Sequence, residues 1–499
     1  MSSTRLVVRA MVLSAAPVLA LSIAAAELPG ALRAGASTSN ITPRLGTSIN
    51  GGMRDRAAQY VHDELHARTL VLDDGTTRLA FVVCDSCMIS RETIDAAKRS
   101  IEAESGLPAA NVLVSATHTH SAPAACGVFQ SDADADYLAF LARRIADGVR
   151  RAIHDLRPAR VGWGTAQVPE HVFNRRWHLK PGTIPPGPFP GNVDLVKMNP
   201  GRASPDLVEP AGPTDPTLSI VSVVTAEGKP LALVANYSLH YVGGTGPGAI
   251  SADYYGRFCA RVGDLLAPRA AAEPPGDAAS EDAPPFVAML TNGTSGDVNN
   301  IDFRIAAPGR EPYEQIRIVA ESVAQEAVRL ARTIEHRGDV TLAARARELE
   351  LAVRRPTADE VASAKPLLEV ARAEGRDLRA LEEIYARETV LLADYPARVP
   401  LVLQALRIGD LGIAAIPCEV FVETGLELRR RSPLAPMFTI SLANGYNGYL
   451  PTPRHHALGG YETWRARSSY LEVEASEKIV ATLDELLRAL PAGESGTGR

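Results

Sequence analysis

Residues able to bind metal or move protons recur in this chain directly after short apolar runs. Val112 to Ser115 is followed by Ala-Thr-His-Thr-His, which gives His118 and His120. Leu231 to Ala235 leads into Asn-Tyr-Ser-Leu-His and His240, and Phe286 to Leu290 leads into a polar stretch holding Asp297 and Asn299. Glu419 stands in Pro-Cys-Glu after Ile413 to Ile416, and Tyr446 and Tyr449 follow Phe438 to Leu442. A lone loop histidine is usually a hydrogen-bonded surface residue, but the i, i+2 spacing of an extended chain turns both rings of His118-x-His120 to one side. Zinc takes neutral imidazole together with carboxylate, and its catalytic sites keep one position open for water. Two histidines and a glutamate from separate strand ends would suit a zinc hydrolase. The residue types alone leave the ligand set open.

The elements that must position these groups read as α/β. Leu79 to Val83 is a further apolar run, and between it and Val112 to Ser115 lies Arg91 to Ser105, where Ile94, Ala97 and Ile101 have helical spacing. Strand, helix and strand in so short a span make a βαβ unit with parallel strands. Polar residues just past strand ends are where open α/β sheets collect ligands. The spacing predicts a mixed β-sheet core with flanking helices. Residues 267–285, rich in alanine, proline and acid, read as a flexible surface insertion. Residues 357–393 read as a helical hairpin: Thr357 and Glu360 have capping-box spacing, Gly375 marks the turn, and Leu378, Leu381, Ile384 and Leu391 or Leu392 form an apolar stripe. A closing amphipathic helix is expected from about Tyr470 to Leu490. No boundary cuts residues 27–499 into separate domains.

Composition removes several classes. Hydrophobic residues make up 46% and charged residues 22%, an ordinary globular balance. With 52 basic against 58 acidic residues the net charge is -6, which offers no footprint for nucleic acid. Arg5 and Arg9 precede an apolar run ending at Ala24-Ala25-Ala26, so residues 1–26 read as a secretory signal peptide and the protein as exported, periplasmic or secreted. That run is short for a membrane span and carries Pro17, and no later stretch is apolar for long enough to be a stable span. Five scattered cysteines do not make a disulfide framework, and Cys84-x-x-Cys87 reads as core or strand-end residues. A (β/α)8 amidohydrolase would carry its His-x-His on the first strand, whereas a βαβ unit precedes it here. No Gly-x-Ser-x-Gly elbow occurs.

Taken together, the motifs resemble the catalytic domain of the neutral, non-lysosomal ceramidase superfamily from about Ala34 to about Leu490. They are Gly35-Ala-Ser-Thr-Ser-Asn-Ile-Thr-Pro43, Ala116-Thr-His-Thr-His-Ser121, Asn174-Arg175, the His240 segment, Ser295-Gly-Asp-Val298, Ile416-Pro-Cys-Glu419, Asn444-Gly-Tyr-Asn-Gly-Tyr449 and Gly460-Tyr461-Glu462. The resemblance implies a neutral-ceramidase-like α/β catalytic domain with a helical hairpin insertion. It implies a zinc ion held by His118, His240, Glu419 and Tyr449, with His120 as acid/base and Arg175 and Tyr461 holding the scissile carbonyl. Of the two tyrosines, Tyr449 is favoured over Tyr446 as the ligand. Those roles meet physical needs: zinc brings the pKa of bound water from about 15.7 to about 7, a histidine can protonate the leaving nitrogen, and cationic or phenolic donors stabilise charge on the carbonyl oxygen.

Two departures from the family pattern bear on substrate. Ceramidases carry serine straight after Gly-Asp-Val, where this chain has Asn299, which cannot act as a nucleophile. Asn299 can orient substrate or water, so attack without a covalent enzyme intermediate is expected, with Ser295 a poor substitute. The chain also ends soon after its last helix, where a ceramidase would continue into a C-terminal β-sandwich-like domain. The expected activity is hydrolysis of a C–N amide bond in a lipid or small-molecule N-acyl compound. A cell-envelope binding protein with a structural metal, and an esterase or lactonase using the same site, are the alternatives.

Overall fold

The computed structural model describes residues 31–267 and 286–491. The predicted signal peptide, and all but the first residue of the 267–285 insertion, lie outside the described residues. One sheet contains β1 (Arg33–Asn40), β2 (His66–Asp73), β3 (Arg78–Cys84), β4 (Val112–Ala116), β5 (Arg157–Gln167), β6 (Thr217–Thr225), β7 (Pro230–Tyr237) and β8 (Val287–Asn292). Its order is β8-β7-β6-β5-β1-β2-β3-β4. A second sheet follows the order β9 (Leu342–Ala352), β10 (Arg398–Ile408), β11 (Leu411–Ala415), β12 (Met437–Ile440). The six apolar runs read from the sequence are β3, β4, β7, β8, β11 and β12, and these form the three parallel pairs of the two sheets. Both faces of such strands are covered, so they carry continuous apolar runs that stand out in a sequence.

The helices are α1 (Arg91–Ser105), α2 (Ala135–His154), α3 (Asp253–Leu266), α4 (Glu314–Ala331), α5 (Ala358–Ala373), α6 (Leu381–Ala393), α7 (Val422–Arg431), α8 (Pro453–Leu458) and α9 (Ala475–Arg488). Helix α1 has its predicted bounds. The Ser90 side chain caps its start, and Gly106 ends it at a φ of 68°, a left-handed conformation natural to glycine. The hairpin is α5 and α6, with the Thr357–Glu360 capping box in place and Gly375 at a φ of 63° in the turn. Leu378 lies in that turn rather than on α6, packed against the core beside Leu381. The closing helix starts at Ala475, later than the spacing predicted. Tertiary contacts hold the preceding residues out of it: Leu471 bridges to Val353, and the Tyr470 hydroxyl donates to Asn447 Oδ1 at 2.7 Å.

Alternate residues of β3 explain the layering. Ala80, Val82 and Cys84 pack under α1 and α2, while Leu79, Phe81 and Val83 face an inner core shared with β6, β7, β8, β11 and β12. Leu233, Ala235, Ala288 and Leu290 pack under α3 and α4, and β10 buries Leu401 and Leu403 against α9. The chain leaving β12 then joins distant strand ends. Ser441 N–H donates to Asn292 O, Ala116 N–H to Leu442 O, and Asn444 N–H to Val114 O, at 3.0, 3.1 and 2.8 Å. This brings the ends of β4, β8 and β12 to one place. The end of β7 follows, because Gly293 N–H donates to Tyr237 O at 2.9 Å.

Candidate metal centre

His118, His240 and Glu419 converge at these joined strand ends. His118 leaves β4 with a φ of 79°, uncommon for a residue with a side chain, and its N–H donates to Ser86 O at 2.8 Å. Its Nδ1 lies 2.8 Å from the Cys87 carbonyl, and His240 Nδ1 lies 3.0 Å from the Ser295 carbonyl. A carbonyl can only accept, so each ring carries its proton on Nδ1 and presents a bare Nε2. The two Nε2 atoms are 3.0 Å apart, and Glu419 Oε2 lies 3.2 Å from one and 3.9 Å from the other. Glu419 Oε1 accepts from the Tyr446 hydroxyl at 3.0 Å, whereas Oε2 is buried with no hydrogen-bond partner. Two lone pairs and an anionic oxygen facing one another repel unless a cation lies between them. Tetrahedral ligands about 2.0–2.2 Å from zinc are roughly 3.3 Å apart, which matches this spacing. The donor set fits zinc.

His120 and Arg175 flank the cluster. His120 Nε2 is 3.2 Å from His118 Nε2, and its ring stacks on Tyr241 with centroids 3.6 Å apart. Arg175 donates through Nε to Glu462 Oε1 at 3.0 Å, and through Nη2 to Gly296 O and the Tyr449 hydroxyl at 2.8 and 3.1 Å. Its Nη1 lies 3.1 Å from His240 Nε2. Tyr449 pairs with Glu419 in parallel register, and the Tyr461 ring meets it edge-on at 5.8 Å. Tyr449, Tyr461, His118, His120 and Glu419 line one small chamber.

Asn299 stands apart from them. It pairs with Phe173, donates from Nδ2 to Asn199 at 2.8 Å and accepts from Ile301 N–H. No hydrogen bond among the described residues joins it to the histidines. Asp253 accepts from the Val242 and Gly243 N–H groups, and Asp297 from Val422 N–H and Asn174 Nδ2, so both brace the loops around the site. Asp85 holds Arg68 through both oxygens. Of the neighbouring His455 and His456, His455 is fully buried, 3.5 Å from Glu423 Oε2 and against the Phe421 ring, and His456 is half-buried. Trp177 is packed, with its indole N–H on Asn174 O.

Burial opposes charge on every ring here, and neighbours decide each outcome. For His118 the nearby Glu419 carboxylate overrides burial and pushes the pKa up to about 10, while Glu419 itself is lowered by His118 and Arg175 against its own burial. The arrangement therefore retains positive charge, as a proton or as a metal cation. Burial, with His118 and Arg175, drives His120 well below the usual histidine range, so it is neutral at neutral pH. His240 is lowered likewise by burial, Arg175 and His118. Burial raises the Tyr449 and Tyr461 phenols.

Four contributors were not predicted. Gly51, at a φ of 103°, lies so close to His120 that a Cβ would overlap the ring, and an adjoining Gly52 was its one sequence signal. The Cys87 and Ser295 carbonyls act through backbone, which side-chain patterns do not reveal. Glu462 lay in a quoted motif without a role, and it accepts from both Arg175 and Arg176.

The fold is mixed α/β, and His118, His240 and Glu419 form a buried group able to hold a metal ion. Residues 33–178 match the family model for neutral/alkaline non-lysosomal ceramidase, N-terminal. The fold matches the crystal structure of neutral ceramidase from Pseudomonas aeruginosa with a TM-score of 0.65 and 19% identity, covering 92% of this chain and 74% of that one. A structure described as ceramidase complexed with C2 matches with a TM-score of 0.63 and 18% identity, covering 92% of this chain and 75% of the other. The family match thus covers the N-terminal part of the chain, and over most of its length the chain shares the fold of neutral ceramidase.

Proposed function

We propose that this protein is an exported zinc-dependent hydrolase that cleaves a C–N amide bond in an N-acyl compound, lipid or otherwise. The observation that carries it is the buried, unpartnered Glu419 Oε2 facing the Nε2 atoms of His118 and His240, whose ring protons are directed to carbonyls on the Nδ1 side. His118, His240 and Glu419 would hold the metal, with the Tyr449 phenol as fourth ligand. When bound, zinc activates water and polarises a carbonyl. Neutral His120 takes a proton at Nε2 as attack begins and returns it to the departing nitrogen, a role generally worth about 10²- to 10⁴-fold. Arg175 spends three of its N–H groups on Glu462, Gly296 and Tyr449, and the Nη1 group beside His240 is left to meet the carbonyl oxygen once the His240 lone pair is given to the metal. Tyr461, kept protonated by burial, is a second donor. Asn299 supports this site at one remove, pairing with the strand that leads into Arg175.

No helix among the described residues is long and apolar enough to cross a membrane. Export rests on the apolar N-terminal run. The test is replacement of His118 or His240 by alanine, with elemental analysis and release of amine from N-acyl amides measured on the same preparations. Zinc and activity should disappear together. Full activity in a thoroughly chelated wild-type sample would contradict the assignment.

A further inference from the structure

Helix α6 of the hairpin reaches the catalytic chamber through one buried ion pair. Glu388, fully buried, accepts the backbone N–H of Arg467 at 3.1 Å, Arg467 Nε at 2.9 Å and Nη2 at 2.7 Å. The same guanidinium donates onward to Gly127 O at 3.0 Å and Phe129 O at 2.8 Å, and Arg387 also donates to Phe129 O. Val128 and Phe129 line the chamber together with His118 and Glu419. Phe129 sits at a φ of 52°, a conformation that needs support from its surroundings. Next to Arg467, Ser468 O accepts the N–H of Tyr449 at 2.8 Å, so the pair also fixes the strand end carrying that phenol. One turn earlier on α6, Tyr385 places its ring 6.0 Å from Phe129 and 5.6 Å from Trp464, which is 6.0 Å from Tyr461. A single helix face therefore holds both walls.

We propose that Glu388 is a positioning residue for the chamber. Acting through Arg467, it fixes the Val128–Phe129 wall and the Tyr449 strand end, and so sets which acyl groups the chamber admits. A carboxylate that only stabilised α6 would not need to gather the guanidinium holding the wall. The activity part of this rests on the amide hydrolase reading; the positional part does not.

The zinc-loaded full-length wild type, Glu388→Gln, Glu388→Asp, Arg467→Lys and Phe129→Ala are compared on acetyl and lauroyl 4-nitroanilides. Zinc content and backbone hydrogen exchange are measured on the same samples. In Glu388→Gln, zinc content should match wild type, KM for the lauroyl substrate should rise about tenfold, and acetyl turnover should change by less than about threefold. Exchange should accelerate at the amide of Ser131, which donates to Val128 O at 3.2 Å, and at that of Tyr449, and Glu388→Asp should recover part of both effects. Phe129→Ala should shift chain-length preference in the same sense, which keeps the idea testable if Glu388→Gln does not fold. Equal losses on both substrates, or unchanged exchange at those amides, would overturn it. If zinc-loaded wild type cleaves neither anilide, the hydrolase reading fails, and the exchange comparison alone decides the role of Glu388.

Discussion

Gly51 and His120 compete for the same space, and the outcome sets where the proposed acid/base sits. With a φ of 103° and no room for a Cβ beside the imidazole, Gly51→Ala must push His120 or bend the loop. His118, His240 and Glu419 are held by other carbonyls and hydroxyls, so zinc should stay bound. The expected result is a loss of about 10²-fold in kcat/KM at unchanged zinc content, since a displacement of about an ångström is enough for that. Zinc loss in parallel would show that the loop supports the metal rather than the histidine. At this scale the sequence exposed side chains and concealed backbone. His118, His240 and Glu419 stood out by type, but the Cys87 and Ser295 carbonyls that fix their tautomers belong to residues whose side chains do other things.

Among the elements, the hairpin shows how local signals and tertiary support divide the work. Helix α5 buries only Ala364 and Ala371, so its own end chemistry matters more than for a core helix. Thr357 Oγ1 accepts Glu360 N–H at 3.2 Å, Glu360 returns the bond to Thr357 N–H at 2.7 Å, and Glu360 also meets Arg465 at 2.8 Å. Thr357→Ala should cost about 1 kcal/mol in urea unfolding, with α5 fraying and zinc content unaffected. A loss well above that would mean that α5 braces the chamber as α6 does. The capping box was legible because it is a four-residue pattern. The start of α9 was not, because the bridge of Leu471 to Val353 and the Tyr470 bond to Asn447 are made by residues far away in sequence. The same contrast separates the strands: the parallel pairs were readable as apolar runs, whereas β9 (Leu342–Ala352) has an exposed middle and blends into its surroundings.

For the molecule as a whole, Lys98 offers a stability test. Its ammonium is buried on α1, donates to Asn444 Oδ1 at 2.8 Å, and burial lowers its pKa to about 8, with Asp95 only partly offsetting this. Between about 8 and the ordinary 10.5 the unfolded chain holds more protons than the folded one, so stability rises with pH across that window. The gap corresponds to about 3 kcal/mol, at about 1.36 kcal/mol per pKa unit. Wild type minus Lys98→Met, followed by denaturant unfolding from pH 7 to 11, isolates this contribution. The difference should favour wild type increasingly toward high pH; a flat difference would mean that Lys98 keeps its charge without cost.

By itself the sequence determined the α/β class, the strands that carry the site, the hairpin with its cap, and the residue types from which a metal centre could be built, because these depend on periodicity and on neighbours along the chain. Tertiary structure decided that β4, β7, β8, β11 and β12 end at one point, that Asn299 faces Asn199 and Ile301 while Arg175 reaches His240, and that α6 grips the chamber wall. Those outcomes depend on hydrogen bonds between segments hundreds of residues apart, such as Ala116 N–H to Leu442 O. A linear pattern can mark which residues are able to meet, but only the packed sheets fix the distances that bring three of them together as a candidate metal site.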